Sequence, residues 1–230
     1  MQIIAVTGGL GTGKSTVARL MNARFGFPVI DADELSRWAF SACSSIISRL
    51  FPEALAPDSS IDRRIVAEIV FSDARRRRHL NQLLHPLIIA VIAFQIIWHW
   101  LAGASRVVID APLLFEVGGG LVRICRRFHL PVVFVLVACD ANVQIARAIS
   151  RDGATRAAIE ARIDAQMPMA EKQKLADRVI ENIGDLVALD HAVGRVVEET
   201  GPGFIGRLVS WIIWPPLIIA LLVIAYRLGE

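Results

Sequence analysis

Short, continuous runs of apolar residues alternate along the chain with longer segments of helical periodicity. Such runs are typical of strands that are buried on both faces of a parallel sheet. Strands that alternate with helices predict an α/β fold. The runs that indicate strands occupy residues 3–6, 28–30, 106–109, 132–137 and, more weakly, 178–180.

Helical patterns fill the intervals between the predicted strands, and one interval is unusually long. The segment over residues 34–101 is helical throughout and too long for an ordinary crossover, so we expect a helical cap beside the sheet. Glycines 201 and 203 flank Pro202 and indicate a hinge, so we expect one domain over residues 1–203 and a tail over 204–230. The helical patterns cover residues 15–25, 34–50, 63–70, 73–84, 86–101 and 142–151.

The composition excludes several classes of protein. Of the 230 residues, 54% are hydrophobic and 20% charged, so the chain is too apolar to be mainly disordered. Cys43, Cys125 and Cys139 form no C-x-x-C pair, which argues against a disulfide framework or a cysteine zinc site and favours a reducing compartment. The net charge of +3 gives no argument for nucleic acid as a partner, and we expect none.

The tail has the character of a membrane anchor. Between Leu208 and Tyr226 no charged residue occurs over about 19 positions, roughly the length of a helix that crosses a bilayer. Arg207 and Arg227 stand at the edges of this span, as is common for anchors. The N-terminus lacks the pattern of a secretory signal or transit peptide.

These features predict a domain in the cytosol that is tail-anchored to a membrane. The mitochondrial outer membrane, the endoplasmic reticulum and a bacterial inner membrane all remain open. The alternative is an apolar C-terminal helix that packs on the rest of the protein.

The glycine-rich segment after the first predicted strand carries a specific motif. Residues 8–15 read G-G-L-G-T-G-K-S and match G-x-x-x-x-G-K-[ST], with an apolar run before them and a helical pattern after them. Backbone amides of such a loop and the helix N-terminus hold a polyphosphate. We expect Lys14 to reach the β- and γ-phosphates of ATP and Ser15 to bind Mg²⁺. The predicted ATP-binding residues of the loop are Gly8, Gly9, Gly11, Thr12, Gly13, Lys14, Ser15 and Thr16.

Other motifs narrow the type of phosphate-loop protein. A GTPase of the Ras type needs N-K-x-D, and no Asn-Lys pair occurs in the chain. Motor and AAA-type ATPases usually place two acids together at the end of the Walker B strand, whereas Ala111 and Pro112 follow Asp110. A small-molecule kinase is therefore favoured. Kinases of other small metabolites, and a membrane-tethered ATP-binding regulator without turnover, are the alternatives.

Two aspartates follow the second predicted strand. If the strand extends through both, Asp31 and Asp33 share one side of it. Phosphoryl transfer to a hydroxyl needs a carboxylate that accepts or orients the proton, and we favour Asp33 as this base. The alternative is that one of the pair only caps the helix that begins near Glu34.

Basic residues of the predicted cap are candidates for contacts with substrate phosphates. Arg63 lies at the start of one helical pattern, and arginine forks suit phosphate oxygens. The four arginines at residues 75–78 turn around more than one helix face, so we expect most of that run to be solvated surface. His85, before Pro86, could equally be a buried histidine at a helix boundary.

These motifs together resemble the dephospho-CoA kinase family, in order and at the family's spacing. The resemblance runs from Met1 to about Val197. It implies a P-loop kinase fold with a parallel five-stranded sheet flanked by helices, and ATP-dependent phosphorylation of the ribose 3′-hydroxyl of dephospho-CoA. The segments that carry it are T-G-G-L-G-T-G-K-S-T at residues 7–16, I-D-A-D at 30–33, V-F-S-D at 70–73, H-P-L-I at 85–88, D-A-P-L-L-F-E at 110–116, R-I with Q-M within 162–167, and A-D through N at 176–182.

The resemblance also implies roles for individual residues. Asp33 would be the base, and the cap with Arg63 and His85 would face dephospho-CoA. Asn182, which follows the fifth predicted strand, would contact the adenine of ATP. The other residues of the acceptor site would be Asp31, Asp110, Pro112, Leu113 and Glu116.

A mobile lid is expected over residues 147–170. Arginines that close over ATP would neutralise charge on the transferring group and exclude water. Arg151, Asp152 and Gly153 resemble the lid hinge of the family, so Arg151 is our candidate catalytic arginine and Arg162 a further ATP contact. We expect Arg156 to be a surface residue, and the alternative for all of them is a solvated helix face.

Overall fold

The computed structural model describes residues 1–58, 60–112, 114–117, 119–127 and 130–201. The predicted tail, including the proposed anchor, and Leu113 of the predicted acceptor site lie outside the described residues. Within the described part, residues 1–31 with 98–201 form one compact unit and residues 32–97 form another. The predicted domain bounds at residues 203 and 204 stay a prediction.

The described residues contain the following strands and α-helices, besides a 3-10 turn at Pro52–Ala54. The strands are β1 (Gln2–Gly8), β2 (Val29–Asp31), β3 (Arg106–Asp110), β4 (Val132–Ala138) and β5 (Arg178–Glu181). The helices are α1 (Lys14–Phe25), α2 (Ala32–Ala42), α3 (Ser44–Leu50), α4 (Arg63–Ser72), α5 (Ala74–Leu101), α6 (Leu114–Val117), α7 (Gly119–Arg127), α8 (Ala141–Asp152), α9 (Arg156–Asp164), α10 (Met169–Leu175) and α11 (Leu186–Glu199).

The strands form one parallel sheet in the order β2-β3-β1-β4-β5. The predicted α/β fold with a five-stranded parallel sheet flanked by helices is thereby confirmed. β1 lies at the centre, and all of its residues are buried. The chain fills one side of β1 with β2 and β3 before it crosses to β4 and β5. Sheets of this type bind ligands at the carboxyl ends of the strands where the order changes direction, which is the edge beside β1.

The core of the first unit fixes the position of α1 on the sheet. Ile4, Val6 and Val135 from the strands belong to one buried cluster with Met21 of α1 and Val193 of α11. Each such side chain contributes roughly 1.5–3 kcal/mol when it is fully buried. Because both β1 and α1 are held by this cluster, the ends of the loop between them are fixed as well.

The second unit is helical and has a core of its own. Ile47, Phe51, Val66 and Leu80 form its buried centre. Two boundary predictions inside it were wrong: the helix expected over residues 34–50 is divided at Cys43 into α2 and α3, and α5 continues through Pro86.

The continuity of α5 has a physical cause. Proline removes one helix hydrogen bond and usually ends or kinks a helix. Here α5 buries Leu80 before Pro86 and Ala93 after it, so tertiary packing holds the helix on both sides of the missing bond. Among the described residues, α5 is also the helix long and apolar enough to cross a membrane by length and composition, with a mean hydropathy of 1.8 over its most apolar window.

Candidate active site

The loop between β1 and α1 has the backbone shape of a phosphate-binding loop. Gly11 has φ 73° and Gly13 has φ 92°, which lie in the left-handed region that favours glycine. Gly13 is the N-cap of α1 and has no side chain to cap the helix. The amides of the first turn of α1 therefore remain suited to an anionic ligand, as the helix dipole favours.

Neighbouring elements leave little room for a side chain at three glycines of this loop. A Cβ on Gly11 would lie 2.5 Å from the backbone oxygen of Gln144, and one on Gly13 would collide with the side-chain amide of Asn182. A Cβ on Gly9 would lie 2.7 Å from Oε1 of Gln144. The glycines of the motif are therefore required by close packing as well as by backbone conformation.

Hydrogen bonds close the loop on itself. Lys14 Nζ donates to the Gly9 carbonyl at 2.7 Å, and Thr12 Oγ1 donates to the same carbonyl at 3.0 Å. Asn182 Nδ2 donates to the Thr12 carbonyl at 2.8 Å in a buried contact. Lys14 thus spans the mouth of the loop, where its ammonium group can meet phosphate oxygens.

Asn182 lies against the loop, and its predicted contact with the adenine of ATP stays a prediction. Its buried side chain braces Thr12, and its backbone oxygen accepts a hydrogen bond from Arg147 Nη1 at 3.4 Å. Asn182 therefore fixes the loop to the segment that follows β5.

Ser15 and Asp110 form the second part of the site. Ser15 Oγ donates to Asp110 Oδ2 at 3.0 Å, and Asp110 is 5% exposed at the end of β3. A hydroxyl and a carboxylate are hard oxygen donors of the kind that Mg²⁺ prefers, and Mg²⁺ bound with a nucleotide takes its other ligands from phosphates and water. Among the described residues no group of three or more histidine, cysteine, aspartate or glutamate side chains occurs that could hold a metal ion.

The acceptor residues of the first unit lie at the same edge of the sheet. Asp31 ends β2 and is the register partner of Asp110, which in turn is the partner of Val6. Thr7 Oγ1 donates to the Pro112 carbonyl at 3.2 Å, which ties the segment after β3 to the end of β1. Three of the predicted acceptor residues are thus brought together with the loop. Glu116 lies in α6, and its side chain is outside the described part of the chain.

The strand does not extend to Asp33. β2 ends at Asp31 and α2 begins at Ala32, so the expected arrangement of two aspartates on one side of a strand is wrong. Asp33 lies in the first turn of α2 with an exposed side chain. An acid in a first helical turn is favoured by the helix dipole.

The other cap candidates also belong to the second unit. Arg63 begins α4, and its guanidinium lies 4.8 Å from the centre of the Phe40 ring. His85 lies within α5, so it is not a histidine at a helix boundary; it is exposed, yet nearby groups desolvate it enough to lower its pKa. Within the run of four arginines, Arg76 pairs with Glu53 at 2.7 Å and the other three are exposed, as expected for a solvated surface.

Two predicted lid arginines share one carboxylate. Arg151 Nε lies 2.7 Å from Asp152 Oδ1, and Arg162 Nη1 lies 2.8 Å from Asp152 Oδ2. The hydrogen bond from Arg151 is the largest cause that lowers the pKa of Asp152, and Arg162 adds to it. Arg156 pairs with Glu160 on the surface, as expected.

Arg147, the first residue of the predicted lid, lies beside the loop. Its Nη1 is 4.0 Å from the position that a Cβ on Gly13 would take. It precedes Arg151 by one turn of α8, so helical spacing from a favoured lid arginine was the signal that could have found it.

Known proteins resemble the chain over most of its length. A sequence model described as dephospho-CoA kinase matches residues 2–188. A dephospho-CoA kinase from Arabidopsis thaliana is 36% identical over 216 residues, which cover 92% of this chain and 87% of that protein.

Solved structures show the same relationship. One from Thermus thermophilus is 37% identical with a TM-score of 0.71, covering 86% of this chain and 97% of that one. A dephospho-CoA kinase from Campylobacter jejuni is 25% identical with a TM-score of 0.63, covering 86% of this chain and 96% of that one. The chain therefore belongs to the dephospho-CoA kinase family, and its activity is that of a dephospho-CoA kinase, the final step of coenzyme A biosynthesis.

Proposed function

We propose that this chain transfers the γ-phosphoryl group of ATP, bound with Mg²⁺ at the loop between β1 and α1, to the ribose 3′-hydroxyl of dephospho-CoA. The observation that carries this proposal is the arrangement of Lys14, Ser15 and Asp110 around a loop with two left-handed glycines. Polyphosphate oxygens would replace the Gly9 carbonyl as the partner of Lys14. The lysine charge would then stabilise charge on the transferring group.

Ser15 and Asp110 would hold Mg²⁺ in this proposal. Their oxygens are 3.0 Å apart and lie at the start of α1 and the end of β3. Bound there with the nucleotide, Mg²⁺ would neutralise the charge that the phosphates develop. This assigns Asp110 to the phosphate side of the site rather than only to the acceptor pocket.

Asp33 is the proposed base for the acceptor hydroxyl. It follows by two residues Asp31, whose register partner is Asp110, and its exposed side chain is accessible to an acceptor. Arg63 and His85 are proposed to contact the phosphates of dephospho-CoA, and Pro112, Leu113 and Glu116 to line its pocket, as the resemblance implies.

The lid arginines are proposed to change partners when ATP binds. Arg151 and Arg162 both bond to the carboxylate of Asp152, and phosphate oxygens can compete for the same guanidinium forks. Arg147 joins them in this proposal because it lies beside Gly13.

The experiment for the base compares two neighbouring carboxylates. Asp33→Asn should lower kcat by roughly 10²-fold or more, while the affinity for ATP stays within about twofold. Glu34→Gln is the matched control, because Glu34 is an exposed acid in the same first turn of α2 and should retain nearly full activity. Full activity of the Asp33 variant, or an equal loss in the Glu34 variant, would remove Asp33 from this role.

We further propose that residues 204–230 anchor the enzyme to a membrane with the kinase domain in the cytosol. The uncharged span from Leu208 to Tyr226 supports this. Ile218→Asp with Leu222→Asp in the full-length chain adds charges that cost roughly 2.5–3.5 kcal/mol each at a bilayer centre. The wild-type protein should stay in the membrane fraction after carbonate extraction, whereas the variant should be lost from that fraction. If both proteins are soluble and the variant is merely less stable, the tail is a packed helix instead.

A further inference from the structure

A glutamine in the link between α9 and α10 contacts the phosphate loop. Gln166 Oε1 accepts a hydrogen bond from the backbone N–H of Leu10, with 3.1 Å between nitrogen and oxygen. The backbone N–H of Gln166 donates to the Ile163 carbonyl at 3.0 Å, which fixes the link to the end of α9. A contact between positions so far apart in the chain is set by the fold and not by local turn geometry.

Apolar contacts accompany this hydrogen bond. The Leu10 side chain packs against a cluster that includes Ile145 of α8 and Ile159 of α9. The methyl group of Met169, the first residue of α10, lies 3.3 Å from the position that a Cβ on Gly9 would take. Leu10 therefore packs against a cluster that includes α9, the start of α10 lies close to Gly9, and Gln166 supplies the polar contact with the loop.

Other side-chain amides support the loop from residues outside the predicted lid, 147–170. Asn182, just after β5, donates to the Thr12 carbonyl. Gln144 is 5% exposed and donates to the Cys139 carbonyl at 3.1 Å, which holds its side chain beneath Gly9. Gln166 differs because it comes from the predicted lid, so its bond depends on the position of the lid.

Order in the loop bears directly on affinity for ATP. A glycine-rich segment loses much conformational entropy when it becomes ordered. If the loop is ordered before ATP arrives, that loss is not subtracted from the binding free energy. A bond that holds the loop in the absence of ATP therefore favours ATP binding without touching the reacting atoms.

We propose that Gln166 is a positioning residue of the kinase reaction. By accepting the Leu10 amide it keeps the first turn of the phosphate loop in its phosphate-binding shape, and it couples that shape to the lid. This role requires an oxygen that accepts the hydrogen bond, held as far from the backbone as the side-chain oxygen of a glutamine.

Two variants with side chains of nearly equal size separate the effect of the hydrogen-bond acceptor from the effect of side-chain volume. Gln166→Met keeps the length of the side chain and removes the acceptor, whereas Gln166→Glu keeps an oxygen at the same reach. Gln173→Met is the matched control, because Gln173 is an exposed glutamine on α10. If the methionine variant does not fold, Gln166→Asn, whose side chain is one methylene shorter, removes the contact instead.

The first readout is amide hydrogen exchange of Leu10 in the full-length, nucleotide-free protein, followed by NMR. Exchange should accelerate by roughly tenfold in Gln166→Met and return towards the wild-type rate in Gln166→Glu. The second readout is steady-state kinetics with ATP and dephospho-CoA. The KM for ATP should rise about 3- to 10-fold in Gln166→Met, the scale of one lost hydrogen bond, with kcat within about twofold.

Several results would overturn the proposal. Unchanged Leu10 exchange in Gln166→Met, or fast exchange in Gln166→Glu, would mean that the side-chain oxygen does not hold the loop. Fast exchange with an unchanged or lower KM for ATP would mean that the held loop does not favour ATP. A loss of kcat alone would assign Gln166 to the chemical step, and the same changes in Gln173→Met would make them a general effect on the lid.

Discussion

Gly13→Ala tests whether the shape of the phosphate loop determines ATP binding. Alanine in the left-handed conformation of Gly13, φ 92°, costs roughly 1–2 kcal/mol. The new Cβ would also collide with Asn182 Nδ2 and disturb its hydrogen bond to Thr12, worth about 0.5–1.5 kcal/mol. Alanine also restricts the unfolded chain, which stabilises the folded protein by roughly 0.4–1 kcal/mol. The free energy of unfolding should therefore fall by about 2 kcal/mol.

Gly26→Ala is the control for backbone strain. Gly26 ends the same helix, α1, with φ 68°, and no atom lies within 4 Å of the position of its Cβ. It should lose about 1 kcal/mol of stability through the left-handed conformation alone. ATP affinity should be unchanged in this variant, because Gly26 lies at the opposite end of α1 from the loop.

Urea unfolding and calorimetric titration with ATP give the two quantities. Gly13→Ala should weaken ATP binding by tenfold or more, since a shifted loop loses at least one charge-assisted hydrogen bond to phosphate of about 1.5–3 kcal/mol. Wild-type affinity for ATP in folded Gly13→Ala would mean that the shape of the loop at Gly13 does not determine ATP binding. An equal loss of affinity in Gly26→Ala would assign the effect to general instability.

Three further predictions follow from other contacts. Asp110→Asn should raise the Mg²⁺ concentration needed for half-maximal activity by roughly 10- to 100-fold in a Mg²⁺ titration, and an unchanged requirement would contradict its proposed role. Neighbouring arginines lower the pKa of Asp152 in the folded protein. The stability that this pairing adds is therefore present above the ordinary pKa of an aspartate, and it is lost as the pH falls through the lowered pKa. Asp152→Asn should therefore unfold at lower urea concentration than the wild type at pH 7, and the difference should shrink towards pH 3; a difference independent of pH would exclude this ion pairing as its cause. In a titration of thiols with a chromogenic disulfide at pH 8, Cys43 should react in the native protein, whereas Cys125, whose pKa burial raises to about 11, and the buried Cys139 should react only after unfolding; rapid reaction of all three in the native protein would contradict this.

The sheet and the loop were predictable because their signals are local. Buried parallel strands produce continuous apolar runs, and the fully buried β1 is the clearest example. The motif of the loop fixes both its glycines and the helix that follows. Boundaries inside the helical unit were less predictable, because the continuation of α5 through Pro86 depends on packing from other helices that local patterns do not encode.

The side-chain partners in the site were not predictable from the sequence. The hydrogen bond from Asn182 to Thr12 was not expected, nor was the convergence of Arg151 and Arg162 on Asp152. The fold brings Asn182 to Thr12 and Arg162 to Asp152, whereas Arg151 and Asp152 are neighbours in the chain. The expected placement of Asp31 and Asp33 on one side of a strand failed for a local reason. The helix α2 begins at the residue after Asp31, so the strand ends before Asp33.

The most direct test of the account is acceptor-dependent release of ADP by the full-length protein. The assay measures ADP from MgATP with and without dephospho-CoA and determines where the product carries its new phosphate. ADP release should require dephospho-CoA, the new phosphate should be on the ribose 3′-hydroxyl, and Lys14→Ala should abolish the reaction. ATP binding without acceptor-dependent release, or a phosphate at another position, would contradict the proposed reaction.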